Sequence, residues 1–213
     1  MRRILPVLLL ALLVFYGVHF NVVRDQDARS IAELNTVIEG LELRNQKLDQ
    51  QVSLVRTRSR VRDYFDTRRV NLSPRELKAI SESILKVSDK YQISPELIIA
   101  LIETESSFDK NAISEKGAVG LMQLLPSTAA DVARDLKIEW EGAHLLHDPG
   151  LNIEMGAFYL NQLFQRFDDM DLALAAYNMG PNRVETIERL GLEKPKRYAR
   201  SVHGKLRTIE DIQ

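Results

Sequence analysis

Apolar and polar residues alternate along this chain in three rhythms. From Ile4 to Val23 the sequence is mostly apolar and holds no Asp, Glu, Lys or Arg. From Ile31 to Val55 apolar residues recur in sevens, at Ile31, Leu34, Ile38, Leu41, Leu48, Val52 and Val55. Beyond Ser73 the apolar stripe broadens to the i, i+3, i+4 spacing of helices that bury one face in a globular core.

The first rhythm predicts a transmembrane signal anchor over residues 1–23. Ile4 to Val23, as a helix rising 1.5 Å per residue, is about 30 Å long, enough to cross a bilayer core. Arg2 and Arg3 favour a cytoplasmic amino terminus, so everything after Val23 is expected outside the cytoplasm. A cleaved export signal is the competing reading. The stretch Phe15-Tyr16-Gly17-Val18-His19-Phe20 offers no small-x-small cleavage site and favours an uncleaved anchor.

The second rhythm predicts a coiled-coil stalk over residues 24–72. Ile31, Ile38, Asn45 and Val52 share one core position of a heptad, and Leu34, Leu41, Leu48 and Val55 share the other. β-branched residues at the first with Leu at most of the second favour a parallel two-stranded coil, and a single Asn at the first fixes its register, which predicts a homodimer. An amphipathic helix folded back on the globular region is the alternative, though it calls for a wider stripe. Arg56, Arg58, Arg60 and Arg62 then read as a solvated helix face.

The third rhythm predicts a mainly α domain over residues 73–213. Ser73-Pro74-Arg75-Glu76 is a capping box with Pro in the first helical position, opening a helix that runs on to Tyr91. Ser94-Pro95 opens a second helix ending near Glu105. Pro126 opens a third that reaches about Leu136, Asn152 to Phe167 forms a fourth, and Leu172 to Tyr177 a short fifth. The glycine-containing stretch from Ala112 to Leu125 is the candidate for a small β element.

Within this pattern one residue breaks the rule. At about 100° per residue, Ile98, Leu101, Ile102 and Glu105 fall on one stripe of the second helix, whereas Glu103 falls on the far, polar side. A carboxyl on an apolar stripe loses hydration in its charged form, so its pKa should rise and it can stay protonated near neutral pH. That is the requirement for a general acid. A surface carboxylate at a frayed helix end is the bland alternative, and the residues after Glu105 bear on the choice.

Glu105-Ser106 closes the helix; Gly117-Ala118-Val119-Gly120-Leu121-Met122-Gln123 comes next, then Pro126. Downstream come Asp148-Pro149, Asn152-Ile153, Gly156, Tyr159-Leu160, Ala176-Tyr177-Asn178 and Gly180-Pro181. In these motifs, over roughly residues 73 to 202, the chain resembles the soluble lytic transglycosylase (SLT) family, enzymes with a lysozyme-like, goose-type fold that cleave peptidoglycan. The resemblance implies that Glu105 is the catalytic acid. It also implies that Ser106, Met122, Gln123, Tyr177, Asn178 and Tyr198 contact the glycan, with Asn178 organising the adjacent turn. Most glycosidases use two carboxylates, but only Glu105 is a strong candidate here. The family's chemistry needs only one. The acid protonates the glycosidic oxygen between N-acetylmuramic acid (MurNAc) and N-acetylglucosamine (GlcNAc), the substrate's acetamido group stabilises the cationic centre, and the 6-hydroxyl closes a 1,6-anhydro ring. No water, metal or cofactor takes part.

Three positions depart from the family's usual pattern. Leu125 replaces a Met, Met179 an Ala, and Lys194 stands where an acidic residue is common, with Glu193 one place earlier. Two further readings stay open: a hydrolytic muramidase, with Asp109 or Glu154 supplying a second carboxylate, and a non-catalytic glycan-binding or assembly scaffold built on the coil. The absence of Cys excludes a disulfide framework, a thiol metal site and a lipid-modified cysteine. His144 and His147 lack a third ligand, so no metal is expected. A net charge of −1 gives no support for nucleic-acid binding. The expected protein is thus a single-pass inner-membrane protein of bacteria with its catalytic domain in the periplasm.

Overall fold

The computed structural model describes residues 4–68, 70 and 72–211, and within the first helix the side chains of 15–17, 31–49, 51, 52, 55, 56 and 59–68. That helix, α1, spans Ile4–Arg68. Most of the span expected over residues 1–23 lies outside the described residues and side chains. Among those described, no helix is long and apolar enough to cross a membrane. The heptad side chains Ile31, Leu34, Ile38, Leu41, Leu48, Val52 and Val55 are exposed, as is Asn45. The chain divides into two compact units between Leu54 and Val55.

The second unit takes in the last turns of α1. Val61, Tyr64 and Phe65, spaced i, i+3 and i+4, are buried in its main core, and the rings of Tyr64 and Phe65 lie 5.9 and 5.0 Å from that of Phe108. Arg60, Arg62 and Arg68 stay at the surface, and Arg60 reaches Glu96 at 3.2 Å. Helix α2 (Pro74–Tyr91) begins with the full capping box between Ser73 and Glu76. Helix α3 (Pro95–Glu105) is capped by Ser94 and has seven consecutive buried residues, Glu96 to Ile102. It is therefore enclosed on all sides until its last turn, a stricter burial than one apolar stripe requires.

Helix α4 (Pro126–Leu136), a 3-10 turn (Ala143–His147) and helix α5 (Pro149–Arg166) come next. Asp148 caps α5, accepting from the Leu151 amide at 2.7 Å, so the helix starts three residues before Asn152. Helices α6 (Met170–Met179), α7 (Pro181–Arg189) and α8 (Arg197–Glu210) complete the unit. Helix α2 packs on α5, and α3 on α8. The last two helices lie beyond those expected from sequence, although Ala199, Val202, Leu206 and Ile209 form a helical stripe.

The expected β element reduces to two single bridges, Ile113 with Val119 and Val119 with Leu124, and no strand forms among the described residues. Gly117 and Gly120 adopt φ of +78° and +82°, and Gln123 +47°. A left-handed residue every third position turns the backbone before a ladder can extend.

Candidate active site

The site is built from the abrupt end of α3. Ser107 and Phe108 both adopt positive φ, +50° and +66°. For a bulky residue such as Phe this conformation costs on the order of 1 kcal/mol or more, here offset by burying its ring against Phe65. The reversal stops the helix at Glu105 and leaves its side chain, partly buried, at a cavity. Burial raises the Glu105 carboxyl to about 7, and a hydrogen bond donated by the Tyr198 hydroxyl to Oε1 holds it from rising further. Glu105 makes no ion pair with a described cation. Tyr198 itself stays neutral, because burial and the adjacent Glu105 push its phenol up.

Glu103 differs sharply. The sequence places it on a polar, outward face, yet its side chain is only 15% exposed, among Lys205 at 3.5 Å and Arg68 at 3.9 Å. It points away from the cavity, toward α1 and α8, and its surroundings are ionic rather than solvated.

The loop from Gly117 to Leu125 is fixed from beneath by Asn152, which is fully buried on α5. Its Oδ1 accepts from the Met122 amide at 2.7 Å, and its Nδ2 donates to the carbonyls of Val119 and Leu146, each at 3.0 Å. Gly120 is required here. A Cβ would meet the Asn152 amide and lie 2.5 Å from the Leu146 carbonyl oxygen. Gly156 gives similar clearance on α5, where a Cβ would stand 2.5 Å from the Met122 sulfur. Met122 is therefore enclosed, and its side chain offers no wall to a ligand. Its carbonyl instead accepts from the Tyr177 hydroxyl at 2.9 Å. Gln123 donates to the carbonyls of Gly120 and Ala112 at 2.9 and 3.1 Å, which holds its strained backbone in place.

The cavity encloses about 700 Å³ and is lined by Glu105, Gln123, Tyr177 and Asn178 among the residues singled out from sequence. Tyr198 joins them through its bond to Glu105. Ser106 and Met122 do not line it; the Ser106 hydroxyl donates back to the Ile102 carbonyl at 3.1 Å. The lining also holds residues to which the sequence alone assigned no role: Tyr159, whose ring lies 5.5 Å from Tyr177, Thr128 and Arg183. Leu125 and Met179, two of the three departures, lie on this wall as well. Lys194 does not. It pairs at 3.0 Å with Asp169, the residue that caps α6.

Neither suggested second carboxylate reaches the cavity lining. Asp109 accepts from the Asn111 amide in its own loop. Glu154 lies on α5 beside α2; burial raises its carboxyl, but Lys90 and Tyr91, bonded at 2.5 and 2.6 Å, outweigh this and hold it below the ordinary value. Glu115, exposed on the loop, is the other carboxylate of the lining. Among the described residues no group of three His, Cys, Asp or Glu could hold a metal ion.

Known proteins are similar to this chain in sequence and in fold. The transglycosylase of Enterobacteria phage PRD1 is 36% identical over 103 residues, 48% of this chain and 36% of that protein. The membrane-bound lytic murein transglycosylase C of Haemophilus influenzae is 37% identical over 111 residues, 47% of this chain and 31% of that one. The matched region thus spans about a third of each relative's length. The structure of an inactive mutant of the lytic transglycosylase Slt from Pseudomonas aeruginosa superposes with a TM-score of 0.54 at 28% identity, covering 66% of this chain and 24% of that one. Residues 82–199 match the transglycosylase SLT domain, more than half of the sequence, and the chain belongs to that family.

Proposed function

We propose that the protein is a peptidoglycan lytic transglycosylase in which Glu105 is the sole acid and base. The observation that carries this reading is the placement of Glu105, partly buried at the cavity and paired with no described cation, where desolvation raises its carboxyl to about 7. At neutral pH a large fraction is protonated and can give its proton to the oxygen between MurNAc and GlcNAc as that bond breaks. The acetamido oxygen of MurNAc shares the positive charge left at C1. The Glu105 carboxylate then removes the proton of the C6 hydroxyl, whose oxygen bonds to C1, so the acid is regenerated and a 1,6-anhydro end is formed without water.

The loop geometry supports roles for the other residues. Gln123, Tyr177 and Asn178 face the sugar, and Tyr198 orients the acid. Ser106 and Met122 act through the backbone, shaping the helix end and the loop. A muramidase would draw its second carboxylate from Glu115, since Asp109 and Glu154 serve other bonds, and Glu115 lacks any buried or hydrogen-bonded setting to fix an attacking water.

Mass spectrometry of fragments released from purified peptidoglycan is the test. Anhydro ends from the native chain, absent with Glu105→Gln, are expected; reducing ends, or release that survives the substitution, would overturn the mechanism.

The apolar run Ile4 to Val23 and the name of one relative support a single-pass inner-membrane anchor with the catalytic unit in the periplasm. Release of the full chain from membranes by high salt without detergent would contradict it. The exposed heptad stripe and Asn45 support a parallel homodimer. Residues 24–68 sedimenting as a monomer at micromolar concentration would remove that part.

A further inference from the structure

Glu103 is a largely buried, ion-paired carboxylate that the reaction leaves unused. It stands in the last turn of α3, two residues before the acid, and it does not line the cavity. Side chains from two other helices close on it. From α1, Arg68 reaches its carboxylate at 3.9 Å, and Tyr64 lies beside it, its phenol pushed up by burial and by that carboxylate and so kept neutral. From α8, the Lys205 ammonium approaches the carboxylate at 3.5 Å and donates to the Glu103 main-chain carbonyl at 3.3 Å. A cation there also meets the negative end of the α3 dipole. Among the described residues, the Tyr64 hydroxyl and Glu103 Oε2, both buried, complete no hydrogen bond. Drawing a carboxylate out of water into such a setting adds little stability over an apolar side chain of similar volume, so stability alone does not account for it.

Helix α8 touches the end of α3 at two points. Tyr198 donates to Glu105, and Lys205 clamps Glu103 seven residues further on, about two turns and hence the same face of α8. With Glu105 as the acid, as proposed above, we infer that Glu103 is a positioning residue: braced by Arg68 and Tyr64 of α1 and clamped by Lys205, it sets the register of α8 on α3 and so aims the Tyr198 hydroxyl at the acid. The groups facing Glu103 are thus Tyr64, Arg68 and Lys205. Those facing Glu105 are the phenols of Tyr198 and Tyr177, both pushed up by burial and by the acid, with Glu115, Lys116 and Arg183 across the cavity.

The test is Glu103→Gln in the full chain, a change that removes the charge and keeps the volume. Its two effects on the acid have opposite signs. A loosened Tyr198 bond raises the Glu105 pKa, whereas loss of a nearby anion beside two retained cations lowers it. The Glu105 carboxyl is titrated by carbon-13 NMR without substrate, and kcat and KM are measured on soluble glycan strands. The expected result is a midpoint about half a pH unit higher, a kcat about tenfold lower and a KM nearly unchanged. In a Tyr198→Phe background the same change should add no upward shift, because the bond it loosens is already gone. Lys205→Met, which leaves Glu103 and its α1 partners in place, should repeat the pattern, and Lys205→Arg should restore it; this pair serves if Glu103→Gln fails to fold. A midpoint that stays or falls with Glu103→Gln, an upward shift that persists without the Tyr198 hydroxyl, or a Lys205→Met chain with native kcat would overturn the inference. The titration needs no turnover, so a native chain that released no 1,6-anhydro products would refute the proposed reaction and leave the alignment to be read from the midpoints.

Discussion

Replacing Tyr198 with Phe should move the pH dependence of cleavage upward. The hydroxyl donates to Glu105 Oε1 and stabilises the ionised carboxylate, partly countering the burial that raises its pKa to about 7. A hydrogen bond to a charged acceptor contributes about 1.5–3 kcal/mol, and water entering the partly open cavity recovers some of that. At about 1.4 kcal/mol per pKa unit, losing it shifts the carboxyl up by about one unit, to about 8. A general acid works only while protonated, so the fall of rate on the alkaline side, centred near 7 in the native chain, should move to near 8. At pH 8 the protonated fraction would rise from about a tenth to about a half. The assay is release of soluble muropeptides from a peptidoglycan suspension between pH 5 and 9, each profile scaled to its own plateau. Scaling matters because the lost bond also loosens the carboxyl and lowers the plateau. A midpoint that stays in place or moves to lower pH would refute the view that Tyr198 tunes the acid; a lower plateau alone would leave it with a positioning role only.

Other substitutions test the supports of the site. Glu105 has a folded pKa raised above its unfolded value, so its penalty is absent below about pH 4.5, grows as pH rises and is complete above about 7. Glu105→Gln should therefore gain about 3 kcal/mol relative to the native chain between pH 4 and pH 8 in denaturant titrations, and a pH-independent difference would contradict the assigned burial. Asn152→Ala removes three buried hydrogen bonds and strands the Leu146 carbonyl and the Met122 amide, while the Val119 carbonyl keeps the Leu124 amide, a loss of about 3–4 kcal/mol by chemical denaturation. A cost below about 1 kcal/mol would mean that the loop is held by something else. A chain beginning at Ser73 loses Val61, Tyr64 and Phe65 from the core and uncovers Phe108, on the order of 5 kcal/mol relative to one beginning at Val55. Equal stability of the two would show that the end of α1 is dispensable.

Local signals in the sequence proved the most informative. Ser73, Ser94 and Pro126 mark helix starts that the structure reproduces, because a cap is decided by a few neighbouring backbone groups. Glu105 was legible for the same reason: one carboxylate among Ile98, Leu101 and Ile102 is a contrast within a single helix. The glycine-rich loop misled for a physical reason. Glycines suggest a tight β element, yet their positive φ values are what prevent strand pairing here. The last turns of α1 were hidden by contrast. Arg56, Arg58, Arg60 and Arg62 dominate the composition there, and the stripe Val61, Tyr64, Phe65 is too short to announce a core element beside them.

What stayed illegible depends on partners distant in sequence. Tyr198 lies 93 residues from Glu105, and no periodicity links them. Glu103 looked solvated because its cations come from α1 and α8. Lys194 is the clearest case. Read within its own segment, a cation at a position usually acidic threatens the glycan site. In the fold it meets Asp169, 25 residues upstream, whose other oxygen accepts from the first amides of α6. Helix α6 carries Tyr177 and Asn178 to the cavity, so the substitution acts on the anchoring of a wall and leaves the lining unchanged. The charge at residue 194 thus bears on how firmly α6 is held, whereas the charges that line the cavity beside Glu105 are those at 115, 116 and 183.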